Sequence, residues 1–166
     1  MNNEHSQLIA LFENILREAQ PEELGVLERL LFAIHNVQTG REKTYLHGAF
    51  RYRGEMTGEN SYEATIELTP FFLNNLHILH GGITATFADT AMGTLVGLNL
   101  PKDQTSVTSE IKVNYLRPII GKEIRCKAEI VHRGKSLWVT ECKIYDQGKE
   151  RPAAYASASF FVIPKK

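Results

Sequence analysis

One stretch of helical period followed by four stretches of period two limits this chain more than anything else in it. Residues 80–98 read as a single helix, ended by Asn99 and Pro101. Beyond them Val107, Ser109, Ile111, Val113 and Tyr115 share one face of a strand, with Thr108, Glu110, Lys112 and Asn114 on the other. Ile124, Cys126, Ala128 and Ile130 repeat the pattern, as do Trp138, Thr140, Cys142 and Ile144, then Ala154, Ala156, Ala158, Phe160 and Val162. The spacing predicts a four-stranded antiparallel meander, each strand with one covered face. Ahead of the helix, residues 45–56 and 62–68 form a hairpin about Thr57-Gly58-Glu59-Asn60, and Pro70 ends it. A sheet with one apolar face and a single long helix buries both by wrapping the sheet around the helix. The class is α+β. Ile83, Phe87, Ala91, Thr94, Leu95 and Leu98 supply an apolar helix stripe, and Ala85, Ala88 and Gly93 allow close approach of the sheet.

Residues 1–40 stand apart as a helical extension, leaving 41–166 for the wrapped-sheet domain. Leu8, Leu11, Phe12, Ile15 and Leu16 recur at helical spacing. Pro21-Glu22-Glu23 opens a second helix carrying Leu24, Leu27, Leu30, Leu31 and Ile34, and Thr39-Gly40-Arg41 stops it. The chain has 19 basic and 19 acidic residues, so no net field attracts nucleic acid or an anionic membrane. Its polar start leads into no long apolar run, which implies neither a signal peptide nor a membrane span. Cys126 and Cys142 are too few for a disulfide scaffold and lack zinc spacing. A cytoplasmic protein with free thiols is the expectation, the two cysteines facing each other across the hairpin centred on Gly134.

Chemistry concentrates around the central helix. His80-Gly81-Gly82 opens it, Asn74 lies six residues earlier and Asp89 lies within it. The first amides of a helix lack internal partners and carry partial positive charge, and glycine lets a carbonyl reach them. That describes either an oxyanion hole or a plain loop-to-helix turn. Asp89 sits among Ala85, Met92, Gly93 and Val96, so it is either hydrogen-bonded structurally or functional. Eight positions separate it from Gly81, about 12 Å along the axis. One helix cannot bring both groups to one carbonyl, but two antiparallel helices in a two-fold dimer can. Any active site is therefore expected to be shared between subunits. His77 and His80 form H-x-x-H without a third ligand, so no metal is expected; His80 holds the loop by hydrogen bonds, with a direct acid–base role as the lesser alternative.

At 74–82 and 89–93 the sequence resembles the hotdog-fold thioesterases, in particular the PaaI-like acyl-CoA branch. Residues 110–118 look like the family's long strand, followed by the hairpin Arg133-Gly134-Lys135-Ser136; the likeness spans about 44–163. The resemblance implies a hotdog fold, hydrolysis of acyl-CoA without any cofactor beyond the CoA of the substrate, and a homodimer or homotetramer. It implies Asp89 as nucleophile or general base and the Gly81 amide, with Gly82 beside it, against the thioester carbonyl. Asn74 would position the carbonyl or the water, and Thr108 would assist the water. Arg133, Gly134, Lys135 and Ser136 would contact CoA phosphates, unless the hairpin is an ordinary glycine turn. His77 stands where the family usually carries glycine, which suggests a differently shaped loop. Two rivals are a non-catalytic acyl-CoA-binding module on the same fold and a hotdog hydratase, though no histidine paired with an acid supports the second.

Overall fold

A computed structural model describes residues 3–165, so Met1, Asn2 and Lys166 of the expected segments lie outside the described residues. The chain forms two compact units, 1–49 with 69–71, and 50–68 with 72–166.

The first unit contains α1 (Asn3–Glu18) and α2 (Pro21–Gln38). Pro21 occupies the first turn of α2, where no amide proton is needed, and the Gln20 amide donates to Glu23 at 2.8 Å. The helix ends at Thr39, and Gly40 follows with φ +70°. Residues 45–50 form a third helix, α3 (Tyr45–Phe50), where the sequence pattern predicts strand. Thr44 Oγ1 accepts the His47 amide at 3.2 Å, a cap that favours helix over extension. Gly48 then lies so close to α2 that a β-carbon there would stand 2.8 Å from the Ala33 Cα. Phe12, Leu16, Leu24, Leu27 and Leu31 line an apolar groove of about 690 Å³ along α1 and α2.

The second unit is an antiparallel sheet of β1 (Arg53–Gly58), β2 (Ser61–Glu67), β3 (Gln104–Tyr115), β4 (Glu123–Arg133), β5 (Leu137–Asp146) and β6 (Ala154–Pro164), with α4 (Gly81–Asn99) on one face. The sheet order is β1-β2-β4-β5-β6-β3. The expected meander is therefore interrupted: β3 pairs with β6, and β4 pairs with β2. The link between β3 and β4 is the reason. Seven residues, 116–122, including Pro118, make no tight turn, and at roughly 3.4 Å each they can cross the three strand spacings of about 4.8 Å that separate β3 from β4.

Beneath α4 the sheet is built of small side chains, with Ala64, Cys126, Ala128, Cys142, Ala154, Ala156 and Ala158 all buried. A β-carbon at Gly93 would lie 3.2 Å from the Phe160 ring, the close approach that its glycine permits. The buried helix face is Thr84, Phe87, Ala88, Ala91, Met92, Leu95 and Val96. Leu98, placed in the stripe by spacing, is 59 % exposed. With so few polar residues on the helix, periodicity alone does not single out the face that packs. Cys126 lies opposite Ile144 and Cys142 opposite Ala128, so the cysteines are diagonal neighbours and not a facing pair. The hairpin turns between Lys135 and Ser136 and not on Gly134, since Arg133 pairs with Trp138 and Gly134 donates to the Leu137 carbonyl. Both cysteines are free and buried; contact with Cys142, then burial, pushes the Cys126 thiol up, away from the thiolate a nucleophile requires.

Another bulge has functional weight. Thr108 pairs with Phe160 and Glu110 with Ser159, leaving Ser109 as the extra residue. The phase of β3 reverses there, so Thr108 shares a face with Ile111, Val113 and Tyr115 and not with Val107. That face is the one toward α4.

Candidate active site

The start of α4 is held from several directions. His80 is its N-cap, and its Nδ1 accepts the Gly82 amide at 2.9 Å. The His80 carbonyl accepts the amides of Ile83 and Thr84 at 3.0 and 3.1 Å. Tyr115 Oη donates to the Gly81 carbonyl at 2.9 Å. The peptide between Gly81 and Gly82 is thus gripped at both its oxygen and its nitrogen, and the preceding peptide at its oxygen. The Gly81 N–H alone has no acceptor among the described residues. It is a fixed donor at the positive end of a 19-residue helix.

Asn74 shapes the loop before it. Its Oδ1 accepts the amides of Leu76 and Ile78 at 2.9 and 3.4 Å, and its backbone bonds both His77 and Ile78. His77 has φ +55°, the left-handed region that glycine enters freely and histidine tolerates. The residue usual for the family would find the same backbone acceptable, so histidine here keeps a glycine-like turn. Asn74, Ile78, Gly81, Thr84, Tyr115 and Pro118 line a cavity of about 410 Å³.

Asp89 lies elsewhere. It is half-buried, and its Oδ1 accepts the Thr108 hydroxyl at 2.7 Å. No cation stands within ion-pair distance of it among the described residues. A hydroxyl orients the carboxylate without neutralising it, and the second oxygen stays available. Within one chain the site residues therefore fall into groups: Asn74, His80, Gly81 and Gly82 at the helix start, and Asp89 with Thr108 about 12 Å further along.

The hairpin forms a third group. Arg133 Nη2 donates to the Glu59 carbonyl at 3.2 Å, to Asn99 Oδ1 at 2.8 Å and to Asn60 Oδ1, and its guanidinium lies 5.3 Å from the Trp138 ring centre. Gly134 donates to the Leu137 carbonyl at 3.0 Å, the Ser136 carbonyl accepts from Val162, and the Lys135 side chain is exposed. Among the described residues no cluster of histidine, cysteine and carboxylates could hold a metal.

Tyr115 is the residue of this helix-start arrangement that sequence reasoning missed. The signal was available: it ends the β3 face carrying Ile111 and Val113, which the wrapped sheet turns toward α4. Its ring also walls Gly81, where an added β-carbon would sit 3.3 Å away. Tyr115→Phe keeps the ring and removes one hydrogen bond of about 1 kcal/mol. If the Gly81 amide serves catalysis, kcat should fall about fivefold with KM changed less than about twofold, as steady-state kinetics would measure.

A family model described as Thioesterase superfamily matches residues 76–153. A crystal structure of a Bacillus halodurans protein with CoA is 38% identical, covers 93% of this chain and 99% of its own, and has a TM-score of 0.83. The chain belongs to the hotdog-fold thioesterase superfamily. A Haemophilus influenzae thioesterase structure, 21% identical over 78% of this chain and 90% of its own, shares the fold with a TM-score of 0.69. A curated protein of that organism named "Putative esterase" is 31% identical over 88 residues, 52% of this chain. The chain spans slightly less than two-thirds of the first curated relatives it matches, 63% and 65% of their lengths. Membership accounts for the wrapped sheet. No helix among the described residues is long and apolar enough to cross a membrane.

Proposed function

We propose that this thioesterase-superfamily chain hydrolyses acyl-CoA thioesters to free acid and CoA as a two-fold homodimer. The observation that carries the reading is a Gly81 amide at the start of α4 and, on the same helix, a carboxylate, Asp89, the first with no acceptor and the second with no neutralising cation among the described residues. The two are too far apart to act on one carbonyl within a chain, and close enough in spacing for antiparallel copies of α4 to exchange them. The free outer edge of β3 favours that assembly, since pairing with its own copy would extend the sheet and lay the two helices side by side.

In the shared site the thioester oxygen rests on the Gly81 amide of one protomer. Asp89 of its partner, steered by Thr108, takes a proton from water as the water oxygen bonds to the carbonyl carbon, or adds to that carbon itself. Negative charge passes to the carbonyl oxygen, where the amide and helix dipole stabilise it. Collapse of the intermediate breaks the C–S bond, and the leaving CoA sulfur gains the proton taken from water; in the covalent route CoA leaves as the thiolate, and the water that then hydrolyses the anhydride and frees Asp89 supplies the proton. Asn74 and His80 keep the loop and the cap in place.

Thiol release from short, long and aromatic acyl-CoAs tests the proposal. Turnover should exceed background hydrolysis by at least about 10⁶-fold on one class of ester. Saturable binding without release across the panel would assign the chain to the non-catalytic acyl-CoA modules.

A further inference from the structure

Helices α1 and α2 leave most of their large apolar side chains in the open. Among the described residues no side chain of α1 is buried, and only Ala33 of α2 is. Nine large apolar side chains of the two helices are instead 38 to 64 % exposed, Leu8, Leu11, Leu16, Leu24, Leu31 and Phe32 among them. On each helix they recur at three- and four-residue spacing as one broad stripe, and the two stripes meet at the groove of about 690 Å³. At roughly 60 Å² of exposed apolar surface apiece, they present on the order of 500 Å². A standard interface takes about 800 Å² from each partner, of which roughly 450–500 Å² is apolar. The hairpin therefore offers the apolar half of one stable interface, and a patch of this size marks an interaction surface.

Its charge narrows what can cover it. Between Asn3 and Gln38 six glutamates stand against Arg17 and Arg29, the reverse of the Lys- and Arg-rich polar face by which amphipathic helices hold an anionic membrane. The same excess repels nucleic acid.

The groove carries one acid, Glu28, and one imidazole, His35, both exposed beside Leu24, Leu31 and Phe32. No cation among the described residues lies within ion-pair distance of Glu28. Glu28 and His35 are two helical turns apart and so share one face of α2. They also stand three residues to either side of the Leu31-Phe32 pair. A two-fold axis between Leu31 and Phe32 packs α2 antiparallel on its own copy. It sets Leu31 on the partner's Phe32 and Glu28 on the partner's His35. The face is complementary to itself, apolar at the centre and of opposite character at the two flanks.

We propose that the groove between α1 and α2 is covered by the same hairpin of a second copy of this chain, which completes a four-helix bundle about that axis. The interface is separate from the shared active site and goes beyond the thioesterase reading. With the β3 edge as a second isologous contact the chain assembles beyond a dimer; without it, this contact alone makes the dimer.

Sedimentation of the full chain at micromolar concentration tests the proposal. Leu31→Glu/Phe32→Glu changes two exposed side chains, so circular dichroism should be unaltered while the assembled mass falls to about half that of wild type. That ratio holds whether or not the β3 edge pairs, and it needs no turnover, so a chain that hydrolyses nothing still reports on the groove. A charge exchange tests the register. His35→Glu places a carboxylate against the partner's Glu28 and should raise the dissociation constant of this contact about 10-fold or more. Adding Glu28→Arg restores opposite charges and should return it to within about threefold of wild type. Equal masses for wild type and Leu31→Glu/Phe32→Glu, or no recovery in the exchanged pair, overturns the inference. Equal masses together with wild type, but not the variant, pelleting on phosphatidylcholine vesicles would overturn it in favour of a lipid surface.

Discussion

Asp89→Asn should lower kcat on the best acyl-CoA by about 10³-fold or more, with KM for that ester changed by less than about threefold. The substitution is nearly isosteric, and its amide oxygen can still accept the Thr108 hydroxyl that Asp89 accepts at 2.7 Å. It removes only the charge and basicity. Folding should not suffer, because no cation among the described residues lies within ion-pair distance to lose a partner. A half-buried carboxylate without a counter-charge is a cost to the fold, so the melting temperature of the variant should equal that of wild type or exceed it. Stability and activity thus move independently, and a calorimetric scan beside the kinetics reads both. A structural aspartate would behave in the opposite way, with lower stability and kcat within about tenfold of wild type. That result would remove Asp89 from the chemistry.

The sequence carried the class of fold because its periods change sharply: one helix, then alternating strands. It carried the chemistry of the helix start because glycines and a histidine at a helix entrance have few physical uses. What it hid lies in places where alternation fails or where distant segments decide. Ser109 looks like an ordinary member of its strand, yet as a bulge it reverses the phase and turns Thr108 toward Asp89. Residues 45–50 have strand-like composition, and the deciding influences are one threonine cap and the contact of Gly48 with Ala33. Pairing of β3 with β6 depends on how far a seven-residue link reaches, and local pattern does not encode that. Arg133 illustrates a different limit. A basic residue beside a glycine turn looks free to meet phosphate, while Glu59, Asn60 and Asn99, distant in sequence, already occupy it.

Mixed dimers give the sharpest consequence of a shared site. Gly81→Pro deletes the one unpartnered amide at the first position of α4, where proline is well accommodated. His80, at φ −63° and ψ 134°, already has the extended backbone that precedes proline comfortably. The new β-carbon meets the rim of the half-exposed Tyr115 ring at 3.3 Å, a contact the ring can relieve by shifting slightly. Gly81→Pro and Asp89→Asn alone should each lower kcat at least about 10²-fold. In a heterodimer of the two, the intact Gly81 of one protomer faces the intact Asp89 of the other, and the second site carries both defects. Random co-assembly makes half the dimers mixed, each with one working site, so co-expression should recover about a quarter of wild-type activity. Isolating the mixed species with two different tags should raise that to about half. If each chain carried its own complete site, mixing would return only the average of two inactive parents. Recovery of activity from two dead proteins follows only if the carboxylate and the amide that meet the substrate come from different chains.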